Sequence, residues 1–264
     1  MNIINIGIIG QSLAGPSGNT PYAPAAAGQI FWNIERIGLA DEFYPAADPM
    51  AGWYGSGGGT IWSRLGYLMA HQPTPLYDQV CYAIAAAPGT GSYYWRGDQP
   101  GMQRIRLTRQ RLALQGMRVS CWFWMNGELD ASLDHPGGYH RDNVLNMVGQ
   151  MRADGDLAPV FVAKETTYQQ YNGVPCGPMF QGLGPELRLA RSAWQTRVQD
   201  EQHELRHNYA NLGIYPGANM DLIDSTGRYD GGHLNAAGSD FAALLWFGVI
   251  AEAKANGLML PGLI

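Results

Sequence analysis

The stretch IINIGIIGQS, residues 3–12, decides the fold of this chain. Its isoleucines and glycines form a short apolar run, which is typical of a strand that is buried on both faces of a sheet. The run stops at Gln11-Ser12, and the Gly/Pro/Ser segment LAGPSG follows it. We therefore predict a central strand that holds Ser12 just beyond its carboxyl end.

Short apolar runs of this kind alternate with helical patterns along the rest of the sequence. Further strands are predicted over residues 79–87, 118–125, 158–164 and 219–225. Apolar spacing and closing glycines predict helices over residues 60–72, 102–116, 139–155, 185–210 and 235–257. This alternation predicts an α/β fold, a three-layer α/β/α sandwich on a flavodoxin-like parallel sheet of five strands, as a single domain over residues 1–264.

Composition narrows the class of protein. The 264 residues carry a formal net charge of −5 and no basic cluster, which argues against nucleic acid as a partner. The three cysteines are too scattered for a disulfide framework, and no CxxC spacing suggests zinc. We find no signal peptide and no uninterrupted apolar stretch of about 18 residues, so we expect no membrane partner, and the cellular location stays open.

Functional groups of open parallel sheets gather beyond the carboxyl ends of the strands. Five predicted loops meet there, namely Gln11-Ser12 and residues 88–95, 126–130, 164–168 and 224–235. A serine hydroxyl becomes nucleophilic when a histidine, oriented by a carboxylate, takes its proton. Asp230 and His233 in YDGGHLNAAG (229–238) supply both groups, and backbone N–H groups with the Asn126 amide are candidate donors to an oxyanion.

Four blocks carry a resemblance to a known superfamily. GQSLAG (10–15), PGTGSYYW (88–95), WMNGELDAS (124–132) and DGGHLNAAG (230–238) resemble, in order, the blocks of SGNH (GDSL-type) hydrolases. They are most similar to the branch that contains sialate O-acetylesterases and related carbohydrate esterases. The blocks span nearly the whole chain.

The resemblance implies roles for individual residues. It makes Ser12 the nucleophile, His233 the base and Asp230 the residue that orients it. The oxyanion would rest on Ser12, Gly89 and Asn126, with Gly91 as a rival to Gly89 because Pro88 replaces the first glycine of that block. Leu13 stands where the related esterases carry asparagine, and its role is open. The residues expected to line the substrate are Gln11, Glu128, Trp95 and Tyr93.

The implied activity is a serine esterase that removes short acyl groups, acetyl above all, from carbohydrates. Its substrate is a small-molecule or polysaccharide ester, and it needs no metal or organic cofactor. Acyl length, the hydroxyl attacked and the oligomeric state are not fixed by the sequence.

Two other classes of protein remain open. One is a carbohydrate-binding or structural module that keeps the fold without turnover. The other is a zinc hydrolase that uses HELRH (203–207), which matches HExxH. That segment lies in a helix that is polar on nearly every side, which favours a solvated helix over a metal site.

Overall fold

The structure is a computed structural model. It describes residues 2–22, 29–33, 44–45, 48, 50, 58–71, 73–166, 170–171, 174–175 and 185–263.

Strands and helices alternate along the described chain as predicted. The strands are β1 (Ile3–Gly10), β2 (Gln29–Asn33), β3 (Tyr44–Pro45), β4 (Gln79–Ile84), β5 (Cys121–Met125), β6 (Val160–Lys164), β7 (Gln170–Tyr171), β8 (Val174–Pro175) and β9 (Ile214–Asn219). The helices are α1 (Ile61–Ala70), α2 (Pro100–Leu114), α3 (Glu128–Ala131), α4 (Tyr139–Ala153), α5 (Pro185–Asn208) and α6 (Ala236–Ala255).

The main sheet has the order β3-β2-β4-β1-β5-β6-β9. The predicted strands run parallel in the order β4-β1-β5-β6-β9, so the flavodoxin-like arrangement is confirmed. The sheet continues past β4 with parallel β2 and antiparallel β3, which the sequence analysis did not predict. Strands β7 and β8 form a separate antiparallel pair.

Strand β1 lies inside the sheet because it presents isoleucines on both faces. Ile4, Ile6 and Ile8 pack with Trp62 of α1 and Trp246 of α6. The other face carries a second cluster beneath α2 and α4, which includes Ile9, Met102, Trp122, Trp124 and Val144. These two clusters, one on each face, are the cores of a three-layer sandwich.

The last strand differs from the prediction. We expected it over residues 219–225, but β9 is Ile214–Asn219 and a 3-10 turn, Met220–Leu222, follows it. Strand β9 is the edge strand next to β6 in the sheet that the described residues form, and an edge strand tolerates Pro216, which lacks an N–H and weakens the strand pattern. Met220 and Ile223 are buried, so turn residues that pack into the core produced the apolar pattern of a strand.

Helix α6 is the one helix in the described ranges that is long and apolar enough, by length and composition, to cross a membrane. The sequence expectation required an uninterrupted apolar run, which Asp240 and Glu252 break. In the structure Trp246 of this helix stacks on Phe123 of β5, with ring centroids 4.0 Å apart. Its buried side chains belong to the core beneath the sheet.

Two of the three cysteines lie on the strands that flank β1. Cys81 of β4 and Cys121 of β5 are buried free thiols, and Cys176 lies outside the described residues. Burial raises the pKa of the Cys81 thiol to about 12 and that of Cys121 further still.

Candidate active site

The carboxyl ends of the central strands meet at one edge of the sheet. The Gln11 amide donates to the Met125 carbonyl at 3.0 Å, which joins the exit of β1 to that of β5. The Ala87 amide donates to the Gly10 carbonyl at 2.8 Å, so the segment after β4 runs alongside the end of β1. The loops that carry the candidate residues after β1, β4 and β5 therefore leave the sheet side by side.

Ser12 opens a 3-10 turn, Ser12–Ala14, one residue after Gln11. Leu13 and Ala14 are buried, whereas Ser12 is partly exposed. The indole of Trp62 donates to the Ala14 carbonyl at 2.8 Å, and the Gly15 amide donates to the Ser12 carbonyl at 3.0 Å. Ser12 is thus partly exposed on a turn that the buried Trp62 fixes by its hydrogen bond to Ala14.

Asp230 and His233 form a hydrogen-bonded pair. His233 Nδ1 lies 2.6 Å from Asp230 Oδ2. The other carboxylate oxygen accepts from the amides of His233, at 2.7 Å, and Gly232, at 2.9 Å. An ionised carboxylate only accepts, so Nδ1 carries the proton in this pair and Nε2 is the basic atom of the ring.

The pKa of Asp230 lies below its usual value. Partial burial raises it, but the hydrogen bonds from the His233 ring and from two backbone amides lower it by more. The carboxylate is therefore charged at neutral pH, which suits a group that orients a histidine and stabilises its protonated form.

The loop that carries His233 is tied to the segment after Ser12. The Tyr229 hydroxyl donates to the Ser17 carbonyl at 3.1 Å, and the Asn19 amide donates to the Leu234 carbonyl at 3.4 Å. Arg228 fixes the loop from inside, since its guanidinium donates to the carbonyls of residues Met220, Ile223 and Gly232. These contacts bring the histidine loop to the same edge of the sheet as the serine turn.

The two candidate oxyanion glycines differ in their surroundings. Gly89 has φ +66°, and a Cβ placed there would meet nothing within 4 Å. A Cβ at Gly91 would come within 2.4 Å of Asp130 Oδ1. Packing against a carboxylate thus explains why residue 91 is glycine. Open space and a left-handed backbone distinguish Gly89, which keeps it as the candidate donor to an oxyanion.

Asn126 follows β5 and is buried. Its Nδ2 donates to the Thr90 carbonyl at 2.7 Å, which links it to the loop of Gly89 and Gly91. An amide nitrogen has two hydrogens, so one N–H remains for a further acceptor.

Of the residues expected to line the substrate, Tyr93 alone is well exposed, at 45%. Trp95 is fully buried, with its ring centroid 6.1 Å from that of Trp124, so the expectation for Trp95 was wrong. An aromatic residue in a predicted loop pointed to the surface, but the 3-10 turn Ser92–Trp95 directs it into the core. Gln11 and Glu128 are also buried and lie beneath the surface of the site.

Leu13 has a structural explanation. It is 3% exposed and belongs to the main core cluster. An apolar residue fits this environment, and the side chain packs inward from the serine turn.

Three buried residues at this edge were missed by the sequence analysis. Gln202 of α5 donates to the carbonyls of Asn126 and Glu165 and accepts from the Glu165 amide, so it joins the ends of β5 and β6. Glu165 lies beside Glu128, and His140 contacts Asp130 at 2.7 Å. Each contact depends on how distant elements pack, and KETTY (164–168) was the only local signal for Glu165.

The HELRH segment lies on α5. His203 and His207 are exposed, with ring centroids 4.5 Å apart. Glu204 is paired with Arg141 at 3.0 Å and accepts from the Tyr209 hydroxyl. Within the described ranges no group of three His, Cys, Asp or Glu residues is placed to hold a metal ion.

Neither a protein-family model nor a curated protein matches the sequence. Among solved structures, a protein from Arabidopsis thaliana superposes with a TM-score of 0.65 at 14% identity, over 94% of this chain and 98% of its own. A carbohydrate acetylesterase, Est24 from Sinorhizobium meliloti, has a TM-score of 0.49 at 15% identity over 96% and 99%. A GDSL-like lipase from Bacteroides thetaiotaomicron has 0.47 at 13% over 94% and 88%. At these identities the likeness is one of fold alone.

Proposed function

We propose that this protein is a serine esterase that removes short acyl groups, acetyl above all, from carbohydrate hydroxyls. The observation that carries the proposal is the contact of 2.6 Å between Asp230 and His233, in a loop tied to the segment after Ser12. A carboxylate that holds Nδ1–H leaves Nε2 to accept a proton, which is what a serine nucleophile requires.

The reaction has two steps in this proposal. His233 takes the proton of the Ser12 hydroxyl as the oxygen attacks the ester carbonyl. The negative charge that forms on the carbonyl oxygen is stabilised by the N–H groups of Ser12 and Gly89 and by the Asn126 amide. His233 then protonates the leaving alcohol, which leaves an acyl-serine. Water, deprotonated by His233, attacks the carbonyl of this acyl-serine, and His233 returns the proton to the Ser12 oxygen as the bond to the serine breaks and the carboxylic acid leaves.

The acyl and sugar preferences rest on the sequence blocks that resemble carbohydrate esterases. The exposed ring of Tyr93, beside the loop of Gly89, adds a surface of the kind that stacks on sugar rings. A small molecule or a polysaccharide that carries acetyl esters is the proposed substrate.

The test is hydrolysis of p-nitrophenyl acetate and of acetylated xylan by wild type and Ser12→Ala. We expect kcat/KM to fall about 1,000-fold or more in Ser12→Ala, because the nucleophile is lost while the fold is kept. The matched control is Ser225→Ala, which changes an exposed serine that the mechanism does not use and should leave the rate unchanged.

A fluorophosphonate probe tests the nucleophile without turnover. Mass spectrometry should find one adduct on wild type, located on Ser12, and none on Ser12→Ala. Hydrolysis that survives Ser12→Ala and disappears with a chelator would refute the proposal in favour of metal chemistry. A wild-type chain that neither hydrolyses these esters nor reacts with the probe would indicate a binding module.

A further inference from the structure

Asp130, the second acidic residue of the third sequence block, has a role that the proposed mechanism does not use. Its carboxylate is buried at the start of α3 and has two partners from other parts of the chain. Both oxygens lie 3.2 Å from the Ser92 amide, and Oδ2 lies 2.7 Å from Nδ1 of His140. One side chain thereby joins the loop after β4 to the first turn of α4.

His140 is as well enclosed as its partner. It is 1% exposed, and its ring lies 6.1 Å from that of Trp124. In the described part of the chain its Nε2 has no hydrogen-bond partner, so Asp130 supplies its polar contact. Burial raises the pKa of Asp130, and the bonds from His140 and Ser92 lower it by more, which leaves an ionised acceptor.

The loop that this pair holds carries the candidate oxyanion donor. Gly91 lies against Asp130 so closely that a Cβ would come within 2.4 Å of Oδ1. The neighbouring Thr90 carbonyl accepts from Asn126 at 2.7 Å. Asn126 and Asp130 both follow β5, so a single turn holds the loop at two successive points. Ser92 is anchored a second time, since Asn143 of α4 donates to its hydroxyl at 2.9 Å.

We propose that Asp130 and His140 are positioning residues that fix residues 88–92 and thereby set the distance between the Gly89 N–H and the Asn126 amide. This inference rests on the proposed function. Donors to an oxyanion act because they are held in place before the reaction, and a misplacement of about 1 Å costs up to about 100-fold in rate. Neither residue touches the reacting atoms.

The test compares Asp130→Ala, His140→Ala and the double variant. We expect kcat to fall about 10-fold to 100-fold with KM little changed, because the donors act on the transition state and substrate binding is unaffected. The double variant should be no slower than the slower single variant, since the two residues act as one unit. In Asp130→Asn the amide still accepts from Ser92 and donates to His140, so kcat should stay within a few-fold of wild type.

The matched control is Asp156→Ala. Asp156 is also buried, and it accepts from the Trp122 indole at 2.8 Å and from the Ala158 amide at 3.0 Å, near the opposite ends of the strands. It should lose stability with kcat unchanged. Amide hydrogen exchange gives a readout that is independent of activity, and peptides over residues 88–92 should exchange faster in Asp130→Ala and not in Asp156→Ala.

An unchanged kcat in Asp130→Ala, an equal fall in Asp156→Ala, or unchanged exchange at residues 88–92 would overturn the inference. If wild type is inert toward esters, the proposed function fails instead, and hydrogen exchange alone then decides whether the pair anchors this loop.

Discussion

Replacement of Glu165 by glutamine should change how stability depends on pH. Glu165 and Glu128 lie side by side in the interior, at the ends of β6 and β5. In the described chain neither side-chain oxygen of Glu165 accepts a hydrogen bond. A proton shared between the Glu165 and Glu128 carboxyls would supply one, because a protonated carboxyl can donate to its neighbour. Burial and the charge of Glu128 raise the pKa of Glu165 well above its usual value, although the charge of Arg228 opposes this.

The sign follows from the proton that the folded state retains. The unfolded chain loses this proton near pH 4.3, whereas the folded chain keeps it to a higher pH. The contribution to stability is therefore complete below that pH and is lost as pH rises toward the folded pKa. One retained proton corresponds to a slope of about 1.4 kcal/mol per pH unit, which is about 2.7 kcal/mol between pH 5 and 7 while the pair keeps its proton.

The assay is urea unfolding of wild type and Glu165→Gln at pH 5, 6, 7 and 8. The introduced amide donates to Glu128 at every pH, so the free energy of unfolding of wild type should fall relative to the variant as pH rises. Glu204→Gln is the control, because hydrogen bonds from Arg141 and Tyr209 lower the pKa of Glu204 and leave it ionised in both states above pH 5. Parallel curves for wild type and Glu165→Gln would refute the shared proton.

Two further predictions concern the serine turn and the glycines of the neighbouring loop. Leu13→Ala should lower the free energy of unfolding by about 2–5 kcal/mol in urea titrations, since it empties a core position. A loss well under 1 kcal/mol would mean that Leu13 does not pack as described. Gly89→Ala should cost about 1–2 kcal/mol for its φ of +66° alone, and Gly91→Ala should cost more because its Cβ would meet Asp130. The reverse order of melting temperatures would contradict these assignments.

The sequence predicts the features of this molecule that depend on local pattern. Apolar runs locate β1 and its parallel neighbours, and the spacing of three residues between Asp230 and His233 allows the contact that the structure shows. The predicted position of the last strand is wrong. Pro216 interrupts the strand pattern of β9, and the buried Met220 gives the turn that follows it an apolar pattern typical of a strand.

Contacts between residues far apart in the sequence could not be predicted, because they depend on how several helices and strands pack together. Gln202 reaches Asn126 only because α5 packs beside the ends of β5 and β6. The Glu128–Glu165 pair comes from two separate segments, α3 after β5 and the residue after β6, and nothing in either segment alone indicates the other. Trp95 shows the same limit, since its burial depends on Trp124 of β5.

The reaction of the two buried thiols beside β1 with an alkylating reagent measures the opening of the sheet. Alkylation needs a thiolate, and the raised pKa values of Cys81 and Cys121 suppress it while the sheet is closed. In a Cys176→Ser background, the rate of modification by iodoacetamide then reports how often the strands on both sides of β1 separate. Both sites should react together, at a rate set by global unfolding.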